Sequence, residues 1–289
     1  MAAASSYDAD MDTSPDRRLD ALLRQARLQI DAIDAEWLLA HAMGQPRTWL
    51  YAHARDIVDP AASERFATLV ARRAIGEPVA YLTGKRGFWT FALQVTPDTL
   101  IPRPETELLV ELALARLPPD RDLRIADLGT GSGAIALALA HERQRADVLA
   151  TDASEAALAV ARANAAALCV DNIRFGQGDW CAALGDERFD LIASNPPYIA
   201  ADDPHLAEGD LRFEPEAALA SGHDGLDAIR AIARDAPGHL VRDGWLLLEH
   251  GMEQGAVVRA LLKATGLIDI TTGRDLENRE RVTSGRRPP

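Results

Sequence analysis

Asn195, Pro196, Pro197 and Tyr198 follow directly on the apolar run FDLIAS at 189–194. Proline has no N–H to give a sheet ladder, so a strand that meets two of them must stop. The residue before a proline is pushed out of the helical region, which keeps Asn195 extended. The four residues therefore read as a stiff, exposed platform at a strand end. It offers the Asn195 side-chain oxygen and the Pro196 backbone carbonyl as acceptors, and the Tyr198 ring as a stacking face. A planar NH₂ group suits it, since each oxygen can take one N–H. An amide or aromatic amine is a weak nucleophile because its lone pair is delocalised. Held in line with an electrophilic methyl carbon, such a nitrogen can be alkylated by positioning alone, with no strong base. Asn195 and Pro196 are thus candidate catalytic groups.

A second constellation, DLGTGSGAIA at 127–136, reads as strand, glycine-rich turn and helix. Gly129, Gly131 and Gly133 permit a tight turn and a close ligand approach, and the helix that follows presents free N–H groups. Asp152 closes the next strand, where an acid accepts hydrogen bonds from the ribose hydroxyls of an adenosine-type ligand. Gly178-Asp179-Trp180 supplies an aromatic wall and a carboxylate where an adenine would lie. Each feature alone has a plainer reading: a strand–helix turn, a helix-capping Asp152, a packing Trp180. Together they fit NAD and S-adenosylmethionine equally. Asn195-Pro-Pro-Tyr separates the two, because hydride transfer has no use for a rigid amide platform. Among the histidines His250, beside Glu249, is best placed to act, but amide alkylation asks for no titrating base, so a structural role is expected.

The elements that must position these groups come from the apolar rhythm. LDALLRQARLQI, DAEWLLAHAMG and AASERFATLVARRAIG predict three helices between Arg17 and Gly76. Residues 77–101 carry Tyr81, Phe88, Trp89, Phe91 and Val95 around two glycines, which suggests a hairpin. From there strands and helices alternate. RIADLG, DVLATD, IRFGQGDW, FDLIASN, WLLLEHG and IDITTG are six strands, with helices between all of them but the third and fourth. The alternation predicts an α/β fold with a mostly parallel sheet and helices on both faces. The stretch from Tyr198 to Gly225 breaks the rhythm beside the platform, and a lid or docking role is expected for it.

Bulk properties bound the function. At 289 residues and a formal charge of −13, the chain is long enough for one large or two ordinary domains. Its acidity lies after residue 90, which disfavours stable binding to free nucleic acid. Two cysteines, Cys169 and Cys181, make neither a disulfide framework nor a metal site, so no metal is expected and a reducing cytoplasm is the expected compartment. The N-terminus carries acids where a targeting peptide would not, and no apolar run is long enough to cross a membrane.

From about residue 16 onward the chain resembles the release-factor glutamine N5-methyltransferases, the HemK-type members of the class I methyltransferases. The likeness rests on GFWTF, TPDTLIPRPETELLVE, DLGTGSG, SNPPYI, RFEPEAAL, LLLEHG and RERVTSGRR. NPPY alone is shared with DNA and RNA amino-methyltransferases; IPRPETE together with NPPYI and FEP is narrower. The resemblance implies a Rossmann-like, mostly parallel seven-stranded sheet. It also implies a helical substrate-recognition domain at 16–78, a hairpin linker at 79–100 and a methyltransferase domain at 101–289, while residues 1–15, small and acidic, lie outside the resemblance and read as a disordered tail. S-adenosyl-L-methionine would be the methyl donor, leaving S-adenosyl-L-homocysteine, and would be held by Gly129, Thr130, Gly131, Ser132, Gly133, Asp152, Trp180 and Asn195. Asn195, Pro196, Pro197 and Tyr198 would hold the acceptor, the glutamine of the GGQ loop in class I peptide chain release factors. Arg103 and Glu105 would help close the donor pocket or serve a local salt bridge, and Phe88 would line the pocket or pack in the core. A ribosomal-protein glutamine, or a DNA or RNA amino group, are the alternative acceptors. A nicotinamide oxidoreductase and a non-catalytic adapter that keeps the donor site are the readings from other classes.

Overall fold

The computed structural model describes residues 16–289, so the expected tail at 1–15 lies outside the described residues. The chain forms two compact units that divide between Thr83 and Gly84. The first is all helical. Its α1 (Leu19–Ala26), α2 (Ala32–Met43) and α4 (Pro60–Ala74) correspond to the three helices that the periodicity predicts. The local reasons are visible. Asp31 and Asp59 cap α2 and α4 through their carboxylates, Pro60 occupies the first turn of α4, and Gly44 ends α2 in a left-handed conformation. Two further helices, α3 (Arg47–Ala52) and α5 (Val79–Thr83), were not expected. At six and five residues they are too short to display a helical period. Leu22, Leu38, Leu39, Phe66 and Val70 are among the apolar side chains of this unit's core.

The second unit begins with an antiparallel hairpin, β1 (Lys85–Phe88) and β2 (Phe91–Gln94), closed by the pair Phe88 and Phe91. Phe88 and Leu93 are buried in this unit's core. The edge of β2 is tied down by Asn164, whose side chain bonds both the N–H and the carbonyl of Gln94 as a neighbouring strand would. The same Asn164 amide donates to the Ser132 carbonyl in the glycine turn at 2.9 Å. One buried side chain thereby couples hairpin and turn.

After α6 (Glu107–Leu114) come β3 (Leu123–Leu128), α7 (Ala134–Glu142), β4 (Ala146–Asp152), α8 (Glu155–Leu168), β5 (Ile173–Gln177) and β6 (Phe189–Ser194). α9 (Asp227–Asp235), β7 (Leu240–Glu249), α10 (Gly255–Ala264), β8 (Ile268–Arg274) and β9 (Glu280–Arg286) complete the unit. The seven-stranded sheet has the order β5-β4-β3-β6-β7-β9-β8. Its first five strands are parallel, and β9 runs antiparallel to both β7 and β8. This is the class I methyltransferase arrangement. Apolar side chains cover both faces: on β3, Leu123 and Ile125 face one core while Ala126 and Leu128 face the other. Two-sided burial explains why the central residues of β3, β4, β6 and β7 read as consecutive apolar residues rather than as alternating ones.

The sheet order reverses between β3 and β6, and there the crevice opens. Leu128 is in register with Thr151 on one side and with Ser194 on the other. Gly129, Asp152 and Asn195 therefore leave three adjacent strand ends together. Two hydrogen bonds lock the junction, from the Thr130 N–H to the Thr151 carbonyl at 2.8 Å and from Ser194 Oγ to the Leu128 carbonyl at 2.7 Å.

Candidate active site

Asn195 stands where two cavities meet. The larger, about 260 Å³, is bounded by Gly129 and Gly131, by Asp152 after β4, and by Asp179 and Trp180 after β5. Pro215 and Ala218, from the long segment after β6, also line it. The smaller, about 70 Å³, is bounded by Arg103, Asn195, Pro196, Tyr198 and Leu211. Asn195, Leu100 and Ala218 line both.

The wall of the larger cavity is built by close packing. Gly129 has φ +71°, and a Cβ there would sit 3.2 Å from Cζ3 of Trp180. Only glycine lets the indole lie flush against the turn. Trp180 itself has φ +43°, a strained conformation for an aromatic residue that places the ring on this wall. Asp152 accepts from the Gly131 N–H at 2.9 Å through one oxygen and from the Ser154 N–H at 2.9 Å through the other. It thus stiffens the glycine turn while lining the cavity; the cap of α8 is Ser154.

Of the residues expected to hold a donor, Gly129, Gly131, Asp152, Trp180 and Asn195 line this cavity. Thr130, Ser132 and Gly133 do not. Thr130 is buried and donates to Asp127 at 2.6 Å, Ser132 is buried beneath Asn164, and Gly133 caps α7. Asp127 is the residue that the sequence reading passed over. It is fully buried, and its Oδ2 also accepts from the Ala136 N–H at 3.2 Å, pinning the turn to the start of α7. Its Oδ1 has no hydrogen-bond partner among the described residues. Burial, with a small push from Asp152, raises its carboxyl to about 7. Its signal was present, as an acid that ends an apolar strand immediately before the glycine turn.

The chemistry of the lining discriminates between ligands. Asp98, Asp152 and Asp179 face the larger cavity, and no lysine or arginine lines it. A pyrophosphate would meet carboxylates without a counter-charge. A sulfonium cation with ribose hydroxyls meets suitable acceptors.

Among the residues expected to hold the acceptor, Asn195 donates through Nδ2 to Thr106 Oγ1 at 3.1 Å, which leaves Oδ1 as the free end of the amide. Pro196 is buried, and its carbonyl accepts no hydrogen bond among the described residues. Pro197 lines the larger cavity rather than the smaller. Tyr198 lines the smaller one and packs on the α9–α10 core. Its hydroxyl is held protonated by burial and by the neighbouring Glu249. Its carbonyl accepts from Gln254 Nε2 at 2.9 Å, and Gly225 packs against that carbonyl so closely that a Cβ has no room.

The segment from Tyr198 to Gly225 holds three single 3₁₀ turns and a parallel bridge of Ile199 with Ala220. Glu214 anchors it. Its buried carboxylate accepts from the Ile101 N–H at 3.1 Å and pairs with Arg103. Arg103 is thus tied to this segment. Phe88 packs in the core and lines neither cavity. His250 is buried, with one ring nitrogen on the Gly251 carbonyl and the other on Thr283 Oγ1, and burial lowers its basicity. It is a neutral structural group.

Two family models match the chain: the PrmC N-terminal domain over residues 17–84 and the methyltransferase small domain over 105–209. A release factor glutamine methyltransferase of Xylella fastidiosa is 58% identical, over 93% of this chain and 98% of the relative. The Escherichia coli protein of that name is 47% identical, over 91% and 97%. Among solved structures, a Thermus thermophilus 16S rRNA N2 G1207 methyltransferase bound to AdoMet and guanosine shares 20% identity with a TM-score of 0.53. The match covers 70% of this chain and 49% of that one, a likeness of fold alone.

Proposed function

Because the chain belongs to the release factor glutamine methyltransferase family, we propose that it transfers a methyl group from S-adenosyl-L-methionine to the side-chain amide N5 of the GGQ glutamine of class I peptide chain release factors. The observation that carries this reading is the meeting of two cavities at Asn195, with its amide nitrogen occupied and its oxygen free. The larger cavity takes the donor, with Asp152 on the ribose hydroxyls and Trp180 and Asp179 about the adenine. The smaller takes the glutamine side chain. Asn195 Oδ1 and the Pro196 carbonyl each accept one N–H of the carboxamide, which turns the nitrogen's face toward the donor cavity.

The donor supplies an electrophilic methyl carbon on a sulfonium. The new N–C bond forms as the S–C bond breaks, S-adenosyl-L-homocysteine leaves, and one amide proton is lost to water. The chain's part is to desolvate, orient and hold. Residues 16–78 are assigned to recognition of the protein substrate, 79–100 to the connection and 101–289 to methyl transfer. Metal and membrane have no part in this scheme.

The test is to incubate the protein with isotopically labelled S-adenosyl-L-methionine and a class I release factor. Mass spectrometry is expected to find one added methyl on the GGQ glutamine, and a Gln-to-Ala release factor is expected to take none. Label entering only a ribosomal protein, or only nucleic acid, contradicts the proposal.

A further inference from the structure

Arg103 is the one charged residue that lines the smaller cavity among the described residues. Leu100, Ile199, Leu211, Ala218 and Leu219 give that cavity apolar walls, and the Tyr198 ring packs on the α9–α10 core. Arg103 is held in place by Glu214, whose side chain is 0% exposed. A carboxylate commonly takes a guanidinium through two parallel bonds. Here the pairing is single. Glu214 Oε2 receives the Ile101 N–H at 3.1 Å, and Arg103 reaches only Oε1, through Nη2. The Nε and Nη1 donors of Arg103 have no hydrogen-bond partner among the described residues. Its side chain is 29% exposed, so these donors are open to what the cavity holds.

A carboxamide has two N–H donors and one carbonyl oxygen. Asn195 Oδ1 and the Pro196 carbonyl answer the two N–H groups. Neither can give a hydrogen to the oxygen, and Asn195 Nδ2 is spent on Thr106. We propose that the Arg103 guanidinium donates to the side-chain carbonyl oxygen of the substrate glutamine, so that Arg103 tells a carboxamide from an amine. This rests on the reading of the smaller cavity as the glutamine's site. Glu214 is the positioning residue behind it, holding one nitrogen of the fork and leaving the others for substrate. A side chain without that oxygen leaves a desolvated guanidinium unanswered, which is a penalty and not merely a missing attraction. The bond serves binding more than the chemical step. As the nitrogen's lone pair moves onto the methyl carbon it is withdrawn from the carbonyl, so the oxygen loses negative charge on the way to the transition state. Loss of this contact therefore falls on substrate affinity and KM rather than on kcat.

The test is a double-mutant cycle across the complex. Release factor binding is measured by calorimetry with S-adenosyl-L-homocysteine saturating, so that donor affinity does not enter, and the GGQ glutamine is either kept or replaced by alanine. Arg103→Met keeps the aliphatic stem and removes the guanidinium donors. It is expected to weaken binding of the glutamine release factor about thirtyfold and of the alanine one by less than about threefold, since a contact already gone cannot be lost twice. With the glutamine substrate, KM is expected to rise by a similar factor and kcat to stay within about threefold of wild type. A loss equal for both release factors means that Arg103 acts only through the segment it ties down, and it overturns the proposal; unchanged binding does the same. Should the variant not bind S-adenosyl-L-homocysteine, a crystal structure of the wild-type ternary complex decides: no guanidinium nitrogen within about 3.5 Å of the glutamine oxygen overturns the assignment. A wild-type enzyme that never methylates glutamine overturns the functional reading, whereas equal losses in an enzyme that does methylate it overturn the part of Arg103 alone.

Discussion

Replacing Asn195 by alanine removes one of the two oxygens assigned to the acceptor and leaves the donor cavity's glycine wall and Asp152 in place. Turnover is expected to drop about a hundredfold, the scale of losing one preorganised transition-state contact, while donor Kd moves only severalfold. Equal losses in both would make Asn195 chiefly a donor ligand. Asp152→Ala is expected to show the opposite split, with donor Kd raised about tenfold and kcat at saturating donor little changed; steady-state kinetics beside calorimetry distinguishes the two patterns. At this scale much of the site was legible. Two prolines end a strand and three glycines mark a turn by local chemistry, so Gly129, Asp152, Trp180 and Asn195 stood out from sequence. Thr106 did not, because its contact with Asn195 spans 89 positions and carries no local signal. Thr130 and Ser132 share the turn with the cavity-lining glycines, but the backbone sends their side chains inward.

Among the elements, the segment from Tyr198 to Gly225 contributes Pro215 and Ala218 to the donor cavity, and Glu214 is its inner anchor. Glu214→Ala leaves the Ile101 N–H unpaired and Arg103 without its partner. Donor Kd is expected to rise about tenfold, with faster proteolysis within 199–224; a nicking assay with and without donor reads both. Unaltered donor affinity would mean that the segment only borders the cavity. The 111-residue separation of Arg103 and Glu214 hid this anchor from any local reading. The same limit applied to β9, where Thr283 and Ser284 are fully buried polar residues. They satisfy their hydroxyls on Thr272, His250 and Thr271 across the sheet, so no apolar pattern marked the strand. Its place was implied only by resemblance. The central parallel strands were legible because burial on both faces makes their middle residues consecutively apolar.

For the whole molecule, two fully buried acids couple stability to pH. Asp127 and Glu249 titrate near 7 in the fold, well above the value of an exposed carboxyl. Between roughly pH 4.5 and 7 the folded chain therefore binds more protons than the unfolded one, and stability contributed by these groups falls as pH rises through that window. Asp127→Asn cannot ionise, so its melting temperature is expected to gain on wild type from pH 5 to pH 8, as read by scanning calorimetry. A constant difference would mean that the fold does not raise the Asp127 carboxyl above its value in the unfolded chain. The central claim concerns the enzyme with both ligands in place. A crystal structure with S-adenosyl-L-homocysteine and a GGQ-containing release factor measures it most directly. The account expects Asn195 Oδ1 and the Pro196 carbonyl each at about 2.7–3.2 Å from the glutamine amide nitrogen. Those two oxygens turned away from the glutamine, with its side chain seated elsewhere, would contradict it.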